Sequence, residues 1–574
     1  MKPSLLKHTG CDIIDVNPGA GIWSSAVHNL LKPRNHYLLE PDHELYRPLL
    51  QPLLDEEGST YKFIPKSGVV WGHLNSILNA ENLPQQVELK EGDPRRDQPN
   101  DTLLFMANLG WFPRKPFRGF QSISLLVVHQ LLTAARAHSL FHRYGLIRML
   151  IWVADEEGKA ILPRTINLRR KMAIETDISC SNVFEIASSN SENVRWRREE
   201  QYNIESSRAV LKRMEDAGIA TPNGRAGPYQ LEAFKAPEAR PLEDDLFIRR
   251  DFYAELEGLE KRLVGKLGKK SEKDLQTPEY KRLMHLRNYK ARLVKEGKTT
   301  SRRLTAELEE LESKFASGEL TKYGDKLPEV GITPEQKQVK YLRSRVVSAH
   351  RRTERHMPLF LQIDALTELQ KKIHTLDGAE AEETKRQIAE LTAEFQFGVE
   401  NLTRYDQETF YLQLDSRRTF KNDPPLLTWD RREVEPLTVK ANEFYPKAEL
   451  SLLDFHPQPI WPVLRKDFPA AYDIFEFILS TLFITPTQSV RRGLTSLAPG
   501  AFEWLIEECP SITDIRKHGD PNVDLMTVRC LTSEMFEEIM EAWMRWPFRP
   551  SRHELLSRIG STVHDPDDEL PSEM

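Results

Sequence analysis

Asp12-Ile13-Ile14-Asp15-Val16-Asn17-Pro18-Gly19-Ala20-Gly21-Ile22-Trp23-Ser24 is the stretch that decides the fold. Its first five residues read as a short apolar strand, and Asn17 to Gly21 as a tight turn. Beyond the turn, Ile22, Trp23, Ala26, Val27, Leu30 and Leu31 recur at helical spacing. Glycines at such a turn let the backbone bend sharply and approach a ligand with no Cβ in the way. The helix that follows offers unpaired N–H groups at its start. Leu38-Leu39-Glu40 is a second strand ending on an acid, placed where a carboxylate commonly holds a ribose diol. A plain strand-to-helix turn with a solvated Glu40 is the competing reading.

Outward from this stretch the pattern repeats. Leu103 to Ala107 is a third apolar run, closed by Asn108-Leu109-Gly110-Trp111. A helix over Ile123 to His138 leads to a strand over Ile147 to Val153. Strands alternating with helices imply a parallel α/β sheet with right-handed crossovers, assigned to residues 1–190. Residues 191–245 form a polar linker with a helix candidate over Ser206 to Ala217. Residues 246–420 are a charged helical insertion with apolar stripes at Tyr253, Leu256, Leu259, Leu263 and Leu267, at Leu304, Leu308 and Leu311, and at Ile388, Leu391 and Phe395. Strands return over 421–470, with candidates at Leu426 to Trp429 and Leu450 to Phe455. A C-terminal helical domain spans 471–560, and 561–574 is an acidic tail.

Composition excludes several classes. A length of 574 residues implies about three to four domains. The richest apolar run, Ile474 to Ile484, contains Glu476 and falls short of the roughly 20 residues a bilayer span needs, so no membrane insertion is expected. Cys11, Cys180, Cys509 and Cys530 have no CxxC spacing, which predicts buried thiols, no metal site and a reducing compartment. His456 has no accompanying nucleophile elbow and reads as structural. The net charge of −6 hides a basic region: residues 251–356 carry 25 Lys/Arg against 17 Asp/Glu, which suits a phosphate-rich partner or simply solvated helices. Met1 to Gly10 is too short for an Arg-rich presequence, so a longer N-terminus is expected.

Three stretches resemble a known family. The first is Asp12 to Ser24 with Pro33-Arg34 and Leu38-Leu39-Glu40-Pro41. The second is Phe141-His142-Arg143-Tyr144-Gly145 with the strand that follows. The third is Glu435-Pro436-Leu437, Pro446 and Leu452-Leu453-Asp454-Phe455, followed by Leu482-Phe483 and Arg491-Arg492. Together they resemble class I S-adenosylmethionine methyltransferases of the rRNA adenine N6-dimethyltransferase superfamily, and within it the fungal mitochondrial transcription factor 1 family. The likeness covers roughly half the chain. It implies a Rossmann-like sheet with a long helical insertion and a C-terminal helical domain. It also implies S-adenosyl-L-methionine binding at Asn17, Gly19, Gly21 and Glu40, and catalysis at Asn108 and Trp111 if the protein is active.

The sequence departs from the active pattern. Family enzymes carry Asn-Leu-Pro-Tyr where this chain has Asn108-Leu109-Gly110-Trp111. No acid stands at Lys66-Ser67-Gly68, where the family's adenine-binding Asp should fall, and the family's Gln/Asn-bearing segment before the first strand has no counterpart in residues 1–11. Loss of methyl transfer is therefore expected, leaving a vestigial cofactor site. The family's other role is sigma-like: binding a single-subunit mitochondrial RNA polymerase in the matrix and holding melted promoter DNA. Basic residues interleaved with aromatics carry that reading: Arg114, Lys115 and Arg118 beside Trp111, Phe112 and Phe117, with Arg491 and Arg492. An rRNA partner, held or methylated, is the alternative.

Overall fold

The computed structural model describes residues 2–112, 115–117, 119–190, 198, 200–235, 251–262, 276–295, 301–322, 334–551 and 554–555. It divides into two compact units. One comprises Met1–Arg198, Tyr202–Ala239 and Leu412–Met574; the other comprises Glu199–Gln201 and Arg240–Tyr411.

The first unit is built on an eight-stranded sheet of order β3-β2-β1-β4-β5-β8-β6-β7. The strands are β1 (Asp12–Val16), β2 (Asn35–Leu39), β3 (Tyr61–Ile64), β4 (Leu103–Asn108), β5 (Met149–Ala154), β6 (Cys180–Ser188), β7 (Leu437–Thr438) and β8 (Leu450–Pro457). β1 runs parallel to both β2 and β4, whereas β8 is antiparallel to β5 and β6. Helices α1 (Ile22–Leu31), α2 (His43–Leu54), α3 (Ile123–Arg136) and α4 (Lys171–Ser179) belong to this layer. Side chains alternate across the sheet: Ile14, Phe105 and Met149 join one core with Val128 and Leu132 of α3. Ile13, Leu104 and Leu150 join the other with Val27 and Leu31 of α1. Covering both faces explains why the central strands read as continuous apolar runs. The buried acids on β1 are satisfied: Asp12 accepts from Arg34, Asn35 and Gln86, and Asp15 from Ser24. The α/β, Rossmann-like expectation is borne out.

One strand expectation needs correction. Leu426 to Trp429 forms turns, because Leu427 and Trp429 are drawn into the apolar cluster of the C-terminal helices. Trp429 lies against the guanidinia of Arg164 and Arg432, at 4.4 and 3.9 Å. The reading also missed β6, whose Ser181, Asn182 and Glu185 interrupt the apolar pattern and whose pairing shifts register twice. α5 (Glu200–Asp216) contains the helix expected from Ser206, and all four cysteines are free and buried.

The second unit is helical: α6 (Asp251–Arg262), α7 (Pro278–Lys295), α8 (Arg302–Ala316), α9 (Pro334–Lys372), α10 (Gly378–Glu400) and the start of α11 (Arg404–Lys421). Leu256 and Leu259 pack on Val339 and Leu342. Leu283 and Leu286 pack on Leu304 and Leu308. Pro278 and Pro334 open helices, where a missing N–H costs nothing. The stripe positions Leu263 and Leu267 lie outside the described residues, as does the acidic tail.

The helices after β8 include α12 (Ala470–Leu482), α13 (Val490–Leu497), α14 (Ala501–Glu508) and α15 (Ser533–Arg545), sharing a core around Phe475, Leu494, Phe536 and Trp543. Among the described residues, no helix is long and apolar enough to cross a membrane.

His142 supplies the unit's clearest pH dependence. It is fully buried, its Nδ1 accepts from the Ile147 N–H, and burial pushes its pKa down to about 3. A lowered histidine pKa means the unfolded chain takes the proton first, so stability is lost as pH falls from the unfolded value towards 3. Urea unfolding at pH 5 should show a loss of about 2 kcal/mol relative to pH 7 from this group. His142→Gln should flatten that part of the profile, and an unchanged slope would refute the assignment.

Candidate functional site

In open α/β sheets, ligands settle outside the carboxyl ends of the strands, where strand order reverses. Here that point lies between β1 and β4. Asn17 follows β1 and Asn108 ends β4, and the Asn17 side chain reaches across: Nδ2 donates to the Asn108 carbonyl at 3.0 Å. The Asn17 Oδ1 is buried without a hydrogen-bond partner. Asn17 holds φ 56°, Gly19 φ 58° and Gly21 φ 75°, so the turn runs through the left-handed region that glycine, and less readily Asn, adopts.

Glu40 sits at the end of β2, as expected, but faces inward. Its Oε2 accepts the Gly19 N–H and its Oε1 the Asp42 N–H, both at 3.0 Å, and the residue is 3% exposed. Burial pushes its pKa up, against the pull of those two N–H groups. Glu40 thus ties the glycine turn to the start of α2. The rest of α2 closes over the turn. A Cβ on Gly21 would lie 2.6 Å from Leu50 Cδ2, and one on Gly19 would lie 3.8 Å from the Tyr46 ring. Near Lys66-Ser67-Gly68, a Cβ on Gly68 would lie 2.6 Å from Val16 Cγ2, so that loop is also packed down on β1.

Behind the turn lies a buried polar chain. Ser24 donates to Asp15 Oδ2 at 2.5 Å, and His36 Nε2 stands 3.4 Å from the same oxygen. His28 and His36 approach through their Nδ1 atoms at 3.1 Å, with Tyr61 stacked on His28 at 3.9 Å. Burial and the neighbouring His36 push the His28 pKa down to about 4. With no opening to a substrate, this chain holds α1 on β1 and β2.

The Asn108–Trp111 loop is fixed by its own groups. Asn108 Oδ1 accepts the Gly110 N–H at 3.2 Å, and the Leu109 carbonyl accepts from Ser124. Gly110 is not in the left-handed region, and space explains it: a Cβ there would lie 2.4 Å from Leu450 Cδ2. Gly110→Pro, which restores the family's proline, would force that contact and remove the N–H. We expect it to destabilise the protein by roughly 1–3 kcal/mol. A thermal midpoint equal to that of the parent would show that Leu450 yields freely.

Trp111 is 47% exposed and stacks on Phe112, with centroids 4.6 Å apart and planes 25° apart. Phe112 is partly buried against the sheet core. Lys115 and Phe117 are exposed beside it, whereas Arg114 and Arg118 lie outside the described residues. Arg491 and Arg492 belong to α13. Arg491 pairs with Asp524 at 2.9 Å and covers the Phe502 ring at 4.4 Å. Arg492 is exposed, and its guanidinium has no ion pair among the described residues.

Sequence reasoning missed Tyr46, Leu450 and the fully exposed Tyr445. Tyr46 had a local signal, an aromatic one turn into the helix after the strand-terminal acid. Its hydroxyl pKa is pushed up by burial, then by Glu40, Asp42 and Tyr445. His456 stands 3.2 Å from Asp454, which pairs with Arg148 at 2.5 Å, an arrangement that ties β8 to β5. His129, Glu175 and Glu476 present ligand-type atoms to one another, yet Lys171 already supplies a cation 2.8 Å from Glu476.

No protein-family model matches the chain. It is similar to mitochondrial transcription factor 1 of Saccharomyces cerevisiae, 26% identical over 153 residues, which are 26% of this chain and 39% of that protein. The protein of the same name from Saccharomyces paradoxus is 26% identical over 152 residues, again 39% of its length. The chain thus matches about two-fifths of these curated relatives. The likeness to the mitochondrial transcription factor 1 family is borne out over about a quarter of the chain, less than the half expected from the residues.

Proposed function

We propose that this protein is a mitochondrial transcription initiation factor that acts in the matrix, binds the mitochondrial RNA polymerase and stabilises melted promoter DNA. The observation that carries the reading is the pairing of a closed cofactor turn with an open aromatic loop. A ribose diol needs carboxylate oxygens that face it, and both oxygens of the buried Glu40 are taken by backbone N–H groups. That use of Glu40, with the α2 leucines packed beside Gly21, supports a vestigial S-adenosyl-L-methionine site. Trp111 instead presents a ring to solvent four residues before the exposed Lys115, and an exposed ring with a nearby cation in sequence suits an unstacked base and its phosphate. Arg492 is a further candidate for phosphate contact. The names of the two yeast relatives support the mitochondrial and transcriptional parts of the reading.

One observation favours a second reading, an S-adenosylmethionine-dependent mitochondrial rRNA adenine N6-dimethyltransferase. Asn17, Gly19, Gly21, Glu40 and Asn108 all converge on the crevice between β1 and β4. The two readings part in one pair of experiments. Run-off transcription by the matching mitochondrial polymerase should rise on a closed promoter and not on a pre-melted one. Calorimetry with S-adenosylmethionine should give no heat at millimolar concentration. Cofactor binding without stimulation of transcription would reverse the choice.

A further inference from the structure

α7, in the helical unit, carries Lys281, Arg282, Arg287, Lys290, Arg292 and Lys295 against the single acid Glu279. Its apolar side is used: Leu283 and Leu286 are buried against Leu304 and Leu308 of α8. The two flanks are neutralised, Arg282 by Glu307 at 2.9 Å and Arg287 by Glu312 at 2.8 Å. Outside these pairs runs a stripe of Lys281, His285, Asn288, Arg292 and Lys295, spaced four, three, four and three residues apart on one exposed face. No carboxylate lies on that stripe. Among the described residues, no ion pair engages Lys281, Lys290 or Lys295. The stripe runs about 21 Å at 1.5 Å per residue.

Aromatic rings stand within it. His285 and Tyr289 lie one turn apart with planes parallel to 4° and centroids 6.4 Å apart, and Tyr289 is 41% exposed. Two near-parallel rings one turn apart offer flat faces on which an unstacked base can lie. The Arg292 guanidinium sits 5.5 Å from the Tyr289 ring, so a cation reinforces the same platform.

We propose that this face of α7 binds single-stranded nucleic acid. Lys281 and Lys295 contact phosphates towards the two ends of the bound stretch while one base stacks against His285 and Tyr289. The charge selects a polyanion. The paired rings select a strand with unstacked bases over an acidic peptide, which has no flat ring to offer, and over a duplex, whose bases are already stacked. α9 carries a related arrangement: Tyr341, 56% exposed, has Arg345 at 5.7 Å and exposed Lys337 and Lys340 beside it. The inference does not rest on the initiation-factor reading.

The test uses the full chain and a fluorescein-labelled 12-nucleotide single strand of mixed sequence, read by anisotropy over a salt series, with the same sequence as duplex for comparison. Trp111→Ala and Arg492→Gln are present throughout, so that the sheet domain does not mask a loss. Tyr289→Ala should weaken single-strand binding about ten-fold and leave duplex binding nearly unchanged. Lys281→Gln with Lys295→Gln should lower the salt slope by about 1.4, at ~0.7 per lost phosphate contact. These side chains are exposed, so thermal midpoints should hold. Unchanged single-strand affinity in both variants overturns the proposal. So does an equal loss on duplex, or displacement of the strand by polyglutamate at matched charge. Failure of promoter stimulation in run-off assays leaves this result standing, since no polymerase is involved.

Discussion

Arg529→Met is expected to destabilise the sheet-containing unit by about 3–5 kcal/mol, the range for stripping one partner from a buried ion pair. The Arg529 Nε and Nη2 donate to Asp415 Oδ2 at 2.8 and 2.6 Å, and Nη1 donates to Asn167 at 2.8 Å. The two side chains are 3% and 0% exposed, and Thr527 donates to the same carboxylate oxygen. Three distant segments therefore meet at one guanidinium: the end of α11, the loop before α4 and the loop before α15. Arg169 extends the junction by donating to the carbonyls of Arg529 and Leu531, both at 2.7 Å. Methionine fills the volume but leaves the Asp415 charge buried without its counter-ion. Adding Asp415→Leu should recover much of the loss, since exchanging both partners for apolar groups removes the stranded charge. Urea unfolding of the single and double variants checks this. A single variant within 1 kcal/mol of the parent would mean that water reaches Asp415.

The same contrast between local and distant partners explains what could be read from the sequence. β1 and the turn after it were legible because strand, glycines and helix lie within thirteen residues and each leaves a local mark. β4 and β5 were legible because both faces are covered, giving unbroken apolar runs. β3 was not, being a four-residue strand containing Lys62. Leu426 to Trp429 had a strand's composition, but its destination was a helical core hundreds of residues away from β1. The site shows the same limit. Asn17, Gly19, Gly21, Glu40 and Asn108 could be placed at strand ends from pattern alone. That Glu40 faces Gly19 and Asp42, that Leu450 fills the space beside Gly110, and that Arg491 is held by Asp524 are facts of packing.

Those packing facts bear on what the crevice between β1 and β4 can hold. A reacting cofactor site must leave its polar groups unsatisfied until ligand arrives, which costs stability. Here Glu40 and the Asn108 side-chain oxygen take backbone partners and α2 leucines fill the space next to Gly21, while the Asn17 Oδ1 stays without a partner. The turn is packed down while the loop after β4 keeps Trp111 exposed. The Trp111–Phe112 stack is a platform whose two rings already lie together, which lowers the ordering entropy lost on binding a base.

Trp111→Ala tests that platform. Removing one base-stacking aromatic costs about 1–3 kcal/mol, or roughly ten- to a hundred-fold in affinity. Stimulation of run-off transcription on a closed promoter should fall by a comparable factor, because the stacked base is available only after strand separation. On a pre-melted template the variant should match the parent, since the cost of opening has been removed. Trp111→Phe should keep most of the activity: Phe112 would still support a flat ring from beneath, as it supports Trp111 at 4.6 Å. Lys115→Gln should act differently, weakening DNA binding modestly and lowering its salt dependence by about 0.7 for one phosphate. Equal loss on both templates would assign Trp111 to the polymerase interface rather than to the melted strand. No loss on either would remove the loop after β4 from the mechanism.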